Sequence, residues 1–249
     1  MVFEAIRKEG EDELKRRPHE LAFSSLACGL TMGFSLLAQA LLAAHLPAER
    51  WATQVSALGY SLGFVMVVLG RQQLFTENTL TPVLPLMHEA SRERLMGLLR
   101  LWAVVLLGNL AGTALFAGFL VASPAADASL HAEMARLASE LLAKPVGTAF
   151  AQAVLAGWLI ALMVWLLPFA ETARVLVIIL LTWLIAAAGF PHIVAGAVDA
   201  FYAVFSGRAG VSRAVEHFFA PALLGNMLGG LLLVAGLNSA QVSKGGTDA

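Results

Sequence analysis

Val55–Met87 reads VSALGYSLGFVMVVLGRQQLFTENTLTPVLPLM. Its first sixteen residues, Val55–Gly70, carry no charge, and a second apolar run, VLPLM, closes it. Between them lies RQQLFTEN, Arg71–Asn78, with an arginine, a glutamate, two glutamines and an asparagine. A helix needs about 20 apolar residues to cross the hydrocarbon core. The region is long enough to cross, but it is interrupted in the middle, and neither half is expected to span alone. Irregular backbone at membrane depth is tolerated only where protein buries it or where it lines a watery cavity. Ionisable side chains at that depth are costly and mark function by default. The stretch therefore predicts a broken helix whose break belongs to a pathway.

Composition agrees with a membrane setting. The 249 residues are 59% hydrophobic and 13% charged, with a mean hydropathy of +0.77, outside the range of soluble domains. Four uninterrupted stretches are long enough to cross: Leu21–Ala44, Leu101–Ala122, Val146–Leu167 and Phe218–Leu237. A second interrupted region, Val175–Phe205, breaks at Gly189-Phe190-Pro191-His192. The expectation is six crossings, the second and fifth discontinuous. Residues 1–20 hold both signs of charge without a signal-peptide core, and read as a surface helix with an apolar side at Val2, Phe3, Ile6 and Leu14. Residues 21–237 form the pore domain and 238–249 a flexible tail. The connection Ser123–Pro145 spaces Leu130, Met134, Leu137, Leu141 and Leu142 as a short amphipathic surface helix.

Lysine and arginine counts orient the chain. With the N-terminus inside, ten of the sixteen fall on the cytoplasmic side and five outside, with Arg71 in the interruption. Both termini are therefore expected in the cytoplasm of a cell with an inner or plasma membrane. One cysteine, Cys28, lies within an apolar run, so no disulfide framework or metal cluster is expected. No cofactor is implied, no basic patch points to nucleic acid, and no HExxH or nucleophile elbow points to an enzyme.

An internal repeat organises the whole. LLGNLAGT, Leu106–Thr113, recurs as LLGNMLGG, Leu223–Gly230, at an offset of 117 residues between Asn109 and Asn226. The same offset carries Phe75 to His192. Each half thus reads as long helix, broken helix and Gly-Asn-x-x-Gly helix, and three crossings per half require the copies to be inverted. Asn109 and Asn226 stand either near the pore or as helix glue. Gly108-x-x-x-Gly112 and Gly225-x-x-x-Gly229 read as close helix contacts. Arg71 and Glu77 are expected to neutralise one another as a loop ion pair. Pro191 and His192 read as the first turn of a half-helix, whose dipole favours anions.

The ordered set of Leu74-Phe75-Thr76, Gly189-Phe190-x-His192, the YSLGF run Tyr60–Phe64 and the two Gly-Asn helices resembles the formate/nitrite transporter family over roughly Leu21 to Leu237. The resemblance implies an aquaporin-like all-α fold, a homopentamer with one pore per protomer, and passage of small monovalent anions such as formate or nitrite together with protons. It puts the central histidine at His192 and a flexible Ω-loop at Leu74, Phe75 and Thr76. Apolar constrictions fall on Tyr60, Phe64 and Ile185, and a vestibule cation on Arg174. The charged neighbours of the LFT loop depart from the family pattern, as does Gly157, where relatives commonly place an asparagine. They align the chain with a less characterised branch.

Overall fold

The computed structural model describes residues 2–242, and all their regular secondary structure is helical. The N-terminal helix α1 (Val2–Lys15) is followed by α2 (Pro18–His45), which opens on proline, where a missing N–H costs nothing. After α3 (Arg50–Leu69) comes an irregular segment with one 3-10 turn at Glu77–Thr79, and then the short α4 (Val83–His88). Ser91 and Asp127 cap α5 (Arg92–Ala122) and α6 (Ala128–Leu142), accepting from the N–H groups of Arg94 at 3.2 Å and Leu130 at 2.9 Å. Next come α7 (Val146–Leu166), α8 (Arg174–Ala187) and α9 (Ala195–Phe205). The chain ends on α10 (Val211–Ala214), a π turn at Val215–Phe219 and α11 (Ala220–Val242). The expected tail therefore begins within α11, and its residues 243–249 lie outside the described residues.

α2, α3, α5 and α7 are each long and apolar enough to cross a membrane. For α3 this corrects the expectation that neither half of the first interrupted region spans alone. The helix starts at Arg50, five residues ahead of Val55, and its 20 residues reach about 30 Å. By contrast α8 has 14 residues and α9 has 11, so the second interrupted region is two short helices. α6 turns Leu130, Met134 and Leu142 inward, as its spacing predicts.

Glycine makes the close crossings of the bundle, and two of them, α2 on α5 and α7 on α11, flank the breaks. In lipid, close van der Waals approach replaces hydrophobic exclusion as the source of helix association. A Cβ on Gly29 of α2 would strike the backbone of Asn109 and Gly112 of α5, and one on Gly112 would strike Leu26. A Cβ on Gly157 of α7 would strike the backbone of Asn226 of α11, and one on Gly229 would strike Val154. Gly157 is thus glycine because α11 lies against it, leaving no room for an asparagine there. Large apolar side chains such as Phe23, Leu107 and Leu115 face outward, the expected surface for lipid or for neighbouring copies.

A large apolar cluster fills the centre, and a smaller one closes one end. In the smaller cluster Ile6 of α1 packs with Leu80, Leu84, Leu98 and Leu233. Because Leu233 lies in the C-terminal half of α11, α1 and that half of the helix share one face of the molecule. α1 is pressed so close that a Cβ on Gly10 would overlap the Thr81 carbonyl.

Candidate pathway at the two helix breaks

Both interruptions begin with the same backbone device. At the end of α3 the N–H of Gly70 bonds Met66 O at 2.9 Å, that of Arg71 bonds Val68 O at 3.2 Å and that of Gln72 bonds Val67 O at 3.0 Å. At the end of α8 the N–H groups of Ala188, Gly189 and Phe190 repeat this on Leu184, Ala186 and Ile185 at 3.0, 2.9 and 2.8 Å. These are Schellman-like ends with one left-handed residue. Gly189 adopts φ 65°, whereas the first break places Arg71 there at φ 49°. A side chain in this region costs roughly 1–2 kcal/mol.

Each loop is then held by one asparagine. Asn109 Oδ1 accepts from Phe75 N–H at 2.9 Å, and its Nδ2 donates to Gln73 O at 2.8 Å and Ser25 O at 2.9 Å. Asn226 Oδ1 accepts from Ile193 N–H at 2.7 Å, and its Nδ2 donates to Ala153 O at 2.8 Å and Pro191 O at 3.0 Å. Both amides are fully buried, with both donor hydrogens and one acceptor position of each spent on backbone, so they position the loops and have no donor left for a solute. These bonds pair Phe75 with Ile193, an offset of 118. The offset of 117 expected from the Asn helices therefore slips by one residue at the breaks, since 34 residues separate Phe75 from Asn109 but 33 separate Ile193 from Asn226.

The two loops meet at Thr76 and His192. Thr76 Oγ1 lies 2.8 Å from His192 Nε2, and both residues are buried. His192 precedes α9 instead of occupying its first turn, because Asn226 ties down the backbone on either side of it. From there Nδ1 accepts the N–H of Ala195, the first residue of α9, at 3.2 Å. An Nδ1 that accepts carries no proton, so the neutral ring holds its hydrogen on Nε2 and donates it to Thr76. Thr76 keeps its own hydroxyl hydrogen for another acceptor.

Apolar rings flank this pair. Phe64 packs edge-on against the His192 ring, with centroids 5.0 Å apart, and Tyr60 follows at 5.3 Å from Phe64. Ile185, Leu74 and Phe75 are buried in the same central cluster, and Phe75 also meets Trp102 edge to face. Among the described residues no group of histidine, cysteine or carboxylate side chains is arranged to hold a metal.

The charged residues collect elsewhere. A cavity of about 360 Å³ on the α1 face is lined by Glu13, Arg71, Gln72, Glu77 and Arg174, among others. The ion pair expected between Arg71 and Glu77 is a correction: among the described residues none joins them. The left-handed turn leaves Arg71 exposed, while Glu77 folds into the 3-10 turn with one carboxylate oxygen buried and unpartnered. Glu13 pairs with Arg16 at 3.3 Å and accepts from Gln73 at 2.8 Å, coupling α1 to the first loop. Burial pushes its carboxyl above the ordinary range against the pull of Arg16 and Gln73. Arg174 opens α8, where its Nε donates to Leu167 O at 3.3 Å.

Two further residues escaped the sequence reading. Lys144 donates to Gly189 O at 2.6 Å and Gln152 Oε1 at 2.7 Å, capping the second break, and burial lowers its ammonium below the usual lysine range. Trp102 donates to Asn78 O at 2.8 Å and braces the first loop. Lys144 reads as one more loop cation, and its bond to Gly189 spans 45 residues.

Comparison with known proteins accords with this arrangement. The sequence profile of the family described as formate/nitrite transporter matches residues 1–240. The Escherichia coli (strain K12) inner membrane protein YfdC is 40% identical over 241 residues, covering 97% of this chain and 78% of that protein. Among solved structures, a pentameric formate channel with formate bound superposes with a TM-score of 0.78 at 21% identity, covering 90% of this chain and 97% of that one. A structure described as an FNT family ion channel gives 0.81 at 19% identity, covering 96% and 98%. At these identities the superpositions speak for the fold, while the profile match and the relative speak for kinship: the chain belongs to the formate/nitrite transporter family.

Proposed function

We propose that this membrane protein conducts small monovalent weak acids, formate or nitrite among them, and that it does so as six crossings arranged in two inverted halves. The observation that carries the reading is the bond between Thr76 and His192, which links the two breaks inside an apolar enclosure. A bare anion loses several kcal/mol of hydration in such surroundings. Protonation removes that penalty. The Nε2 hydrogen of His192 reaches Thr76, whose hydroxyl hydrogen in turn points onward, so the pair forms a relay: Nδ1 exchanges the Ala195 N–H for a proton from solvent, Nε2 passes its hydrogen to Thr76, and the Thr76 hydroxyl hydrogen passes to the acid, which leaves the ring neutral. Tyr60, Phe64, Leu74, Phe75 and Ile185 then exclude hydrated ions, and Arg174 concentrates anions at the mouth.

The paired asparagine clamps and paired left-handed turns support the inverted repeat, and the lysine and arginine count supports both termini in the cytoplasm. The kinship and the pentameric neighbour support a homopentamer in the lipid of an inner membrane. Uptake of labelled formate, nitrite and cyanate into proteoliposomes at pH 5.5 and 7.5 tests the reading. Acid-stimulated uptake of at least one, lost in His192→Ala, is expected. Transport in His192→Ala with an unchanged pH profile would sink the relay, and uptake indifferent to pH in both proteins would point to a passive channel for a neutral solute.

A further inference from the structure

We propose, resting on the pathway reading above, that Asp199 of α9 binds a proton in the half of the pathway away from α1, and that anions pass it only while its carboxyl is protonated. Asp199 is the one acidic residue of α9. It stands four residues beyond Ala195, whose N–H the ring of His192 accepts, and therefore on the same face of the helix, about 6 Å further along. The other residues of α9 that keep accessible surface, Phe201, Val204 and Phe205, turn to the opposite side. The surface that Asp199 keeps thus belongs to the interior of the bundle. Tyr60 points the same way from across the path. Asp199 is close enough to act on the Tyr60 phenol through space, and Tyr60 leads through Phe64 to the His192 ring in steps of 5.3 and 5.0 Å. One turn on from Asp199, the Tyr202 hydroxyl meets His131 Nδ1 of α6 at 2.8 Å, so the carboxyl stands between the Thr76–His192 junction and the α6 end of the molecule.

Nothing balances this carboxylate. Among the described residues no cation pairs with it, and the hydrogen bond it accepts comes from its own backbone N–H. The elements packed against α9 are α2, α5, α6 and α10. On α6, Arg136 is taken by Glu133 and Glu140, and His131 by Tyr202. On α2, His45 bonds the Leu41 carbonyl, Cys28 is buried, and His19 and Glu20 lie at the α1 end. Arg213 of α10 donates to Leu142 O, and the charges of α5 fall in its first turns, Arg92 to Arg100. Lys144 is spent on Gly189 and Gln152. An ionisable side chain at membrane depth marks function by default, and this one is not sealed off as the Glu77 oxygen is. In its charged form it meets an incoming anion with like charge inside a narrow apolar enclosure. The step that opens the way is a protonation alone: a hydronium ion gives its proton to a carboxylate oxygen of Asp199 and leaves as water, and the reverse step restores the charge. Asp199 thereby filters anions ahead of the relay.

Labelled formate uptake into proteoliposomes, with the same pH on both sides, is the measurement. Asp199→Asn keeps the shape and removes the charge. It is expected to raise uptake at pH 7.5 about tenfold, the effect of one like charge removed from close range, and to leave uptake at pH 5.5 nearly unchanged. Asp199→Glu keeps a titrating carboxyl and should keep the unmodified pH profile. Infrared difference spectra of the full oligomer between pH 5.5 and 7.5 should show the C=O stretch of a carboxylic acid that Asp199→Asn abolishes. Should Asp199→Asn fail to assemble, Asp199→Ser serves in both assays.

An unchanged pH profile in Asp199→Asn, loss of its uptake at both pH values in a folded oligomer, or difference spectra indifferent to the substitution would each overturn the proposal. Its fate is separable from that of the relay. Uptake freed at pH 7.5 by Asp199→Asn, with the pH profile of His192→Ala unchanged, would keep the filter and remove the relay. Acid-stimulated, His192-dependent uptake indifferent to Asp199→Asn would do the reverse.

Discussion

At the scale of single residues, the two buried asparagines decide where Thr76 and His192 stand. Asn226→Ala would strand the Ile193 N–H and the Pro191 carbonyl, and each buried unsatisfied group costs about 1–3 kcal/mol. The expected outcome is a clear fall in the thermal midpoint of the purified oligomer, together with loss of acid-stimulated uptake. Asn109→Ala should behave alike through Phe75 and Gln73. Thr76 separates structure from chemistry: Thr76→Ser keeps the hydroxyl and should keep the pH-dependent uptake, while Thr76→Val keeps the volume and should lose it. Uptake assays on the two variants at pH 5.5 and 7.5 check this. His192 and Thr76 were legible in the sequence because polar residues interrupt apolar runs there. The exact duty of the asparagines was not, since an amide inside a helix reads equally as helix glue or pore wall until the loop backbone it holds has been located. The mismatch at Arg71 was hidden for a related reason: nothing in an arginine announces a left-handed turn, whereas Gly189 does.

At the scale of elements, α1 is more than the surface helix its sequence implies, because it is docked on the first break through Ile6, Gly10 and Glu13. Burial raises the Glu13 carboxyl above its ordinary value, so docked α1 takes up a proton at higher pH than released α1 does. Docking is therefore fully favoured below the ordinary carboxylate range and weakens as pH rises through the raised value. Hydrogen exchange of the α1 amides, corrected for intrinsic rate, should show more protection at pH 5 than at pH 7.5, and Glu13→Gln should flatten the difference. The docking itself escaped prediction because charge patterning marks a helix as amphipathic without saying what it covers. The α7–α11 crossing offers a second test. Gly157→Asn forces a side chain into the backbone of Asn226, displacing the clamp on the second loop. A drop in oligomer yield and thermal midpoint at least as large as that of Asn226→Ala is expected, read by size-exclusion chromatography and melting.

At the scale of the whole molecule, the sequence announced a membrane bundle with two breaks, because apolar length, charge depletion and a repeated Gly-Asn motif survive without any tertiary knowledge. What it mistook was the reach of α3, since Arg50–Gln54 look polar enough to stay outside yet continue the helix. The arrangement of the bundle carries a prediction of orientation. α1 and the C-terminal half of α11 share one face through Ile6 and Leu233, with Leu80 of the first loop and Leu84 of the short α4 at its edge, while α6 borders the α2–α3 connection across a shared cavity. Lysine and arginine are concentrated on the α1 face, which predicts that this face is cytoplasmic. The one native cysteine, Cys28, is buried, so an introduced thiol at an exposed site reports alone. Glu89→Cys follows α4 and Ala128→Cys begins α6, both exposed. A membrane-impermeant maleimide applied to intact cells should label Ala128→Cys and spare Glu89→Cys, which becomes reactive only after the membrane is opened. The opposite pattern would turn the molecule over, moving the Arg71–Glu77 cavity to the outer face while leaving the Thr76–His192 junction unchanged at the centre.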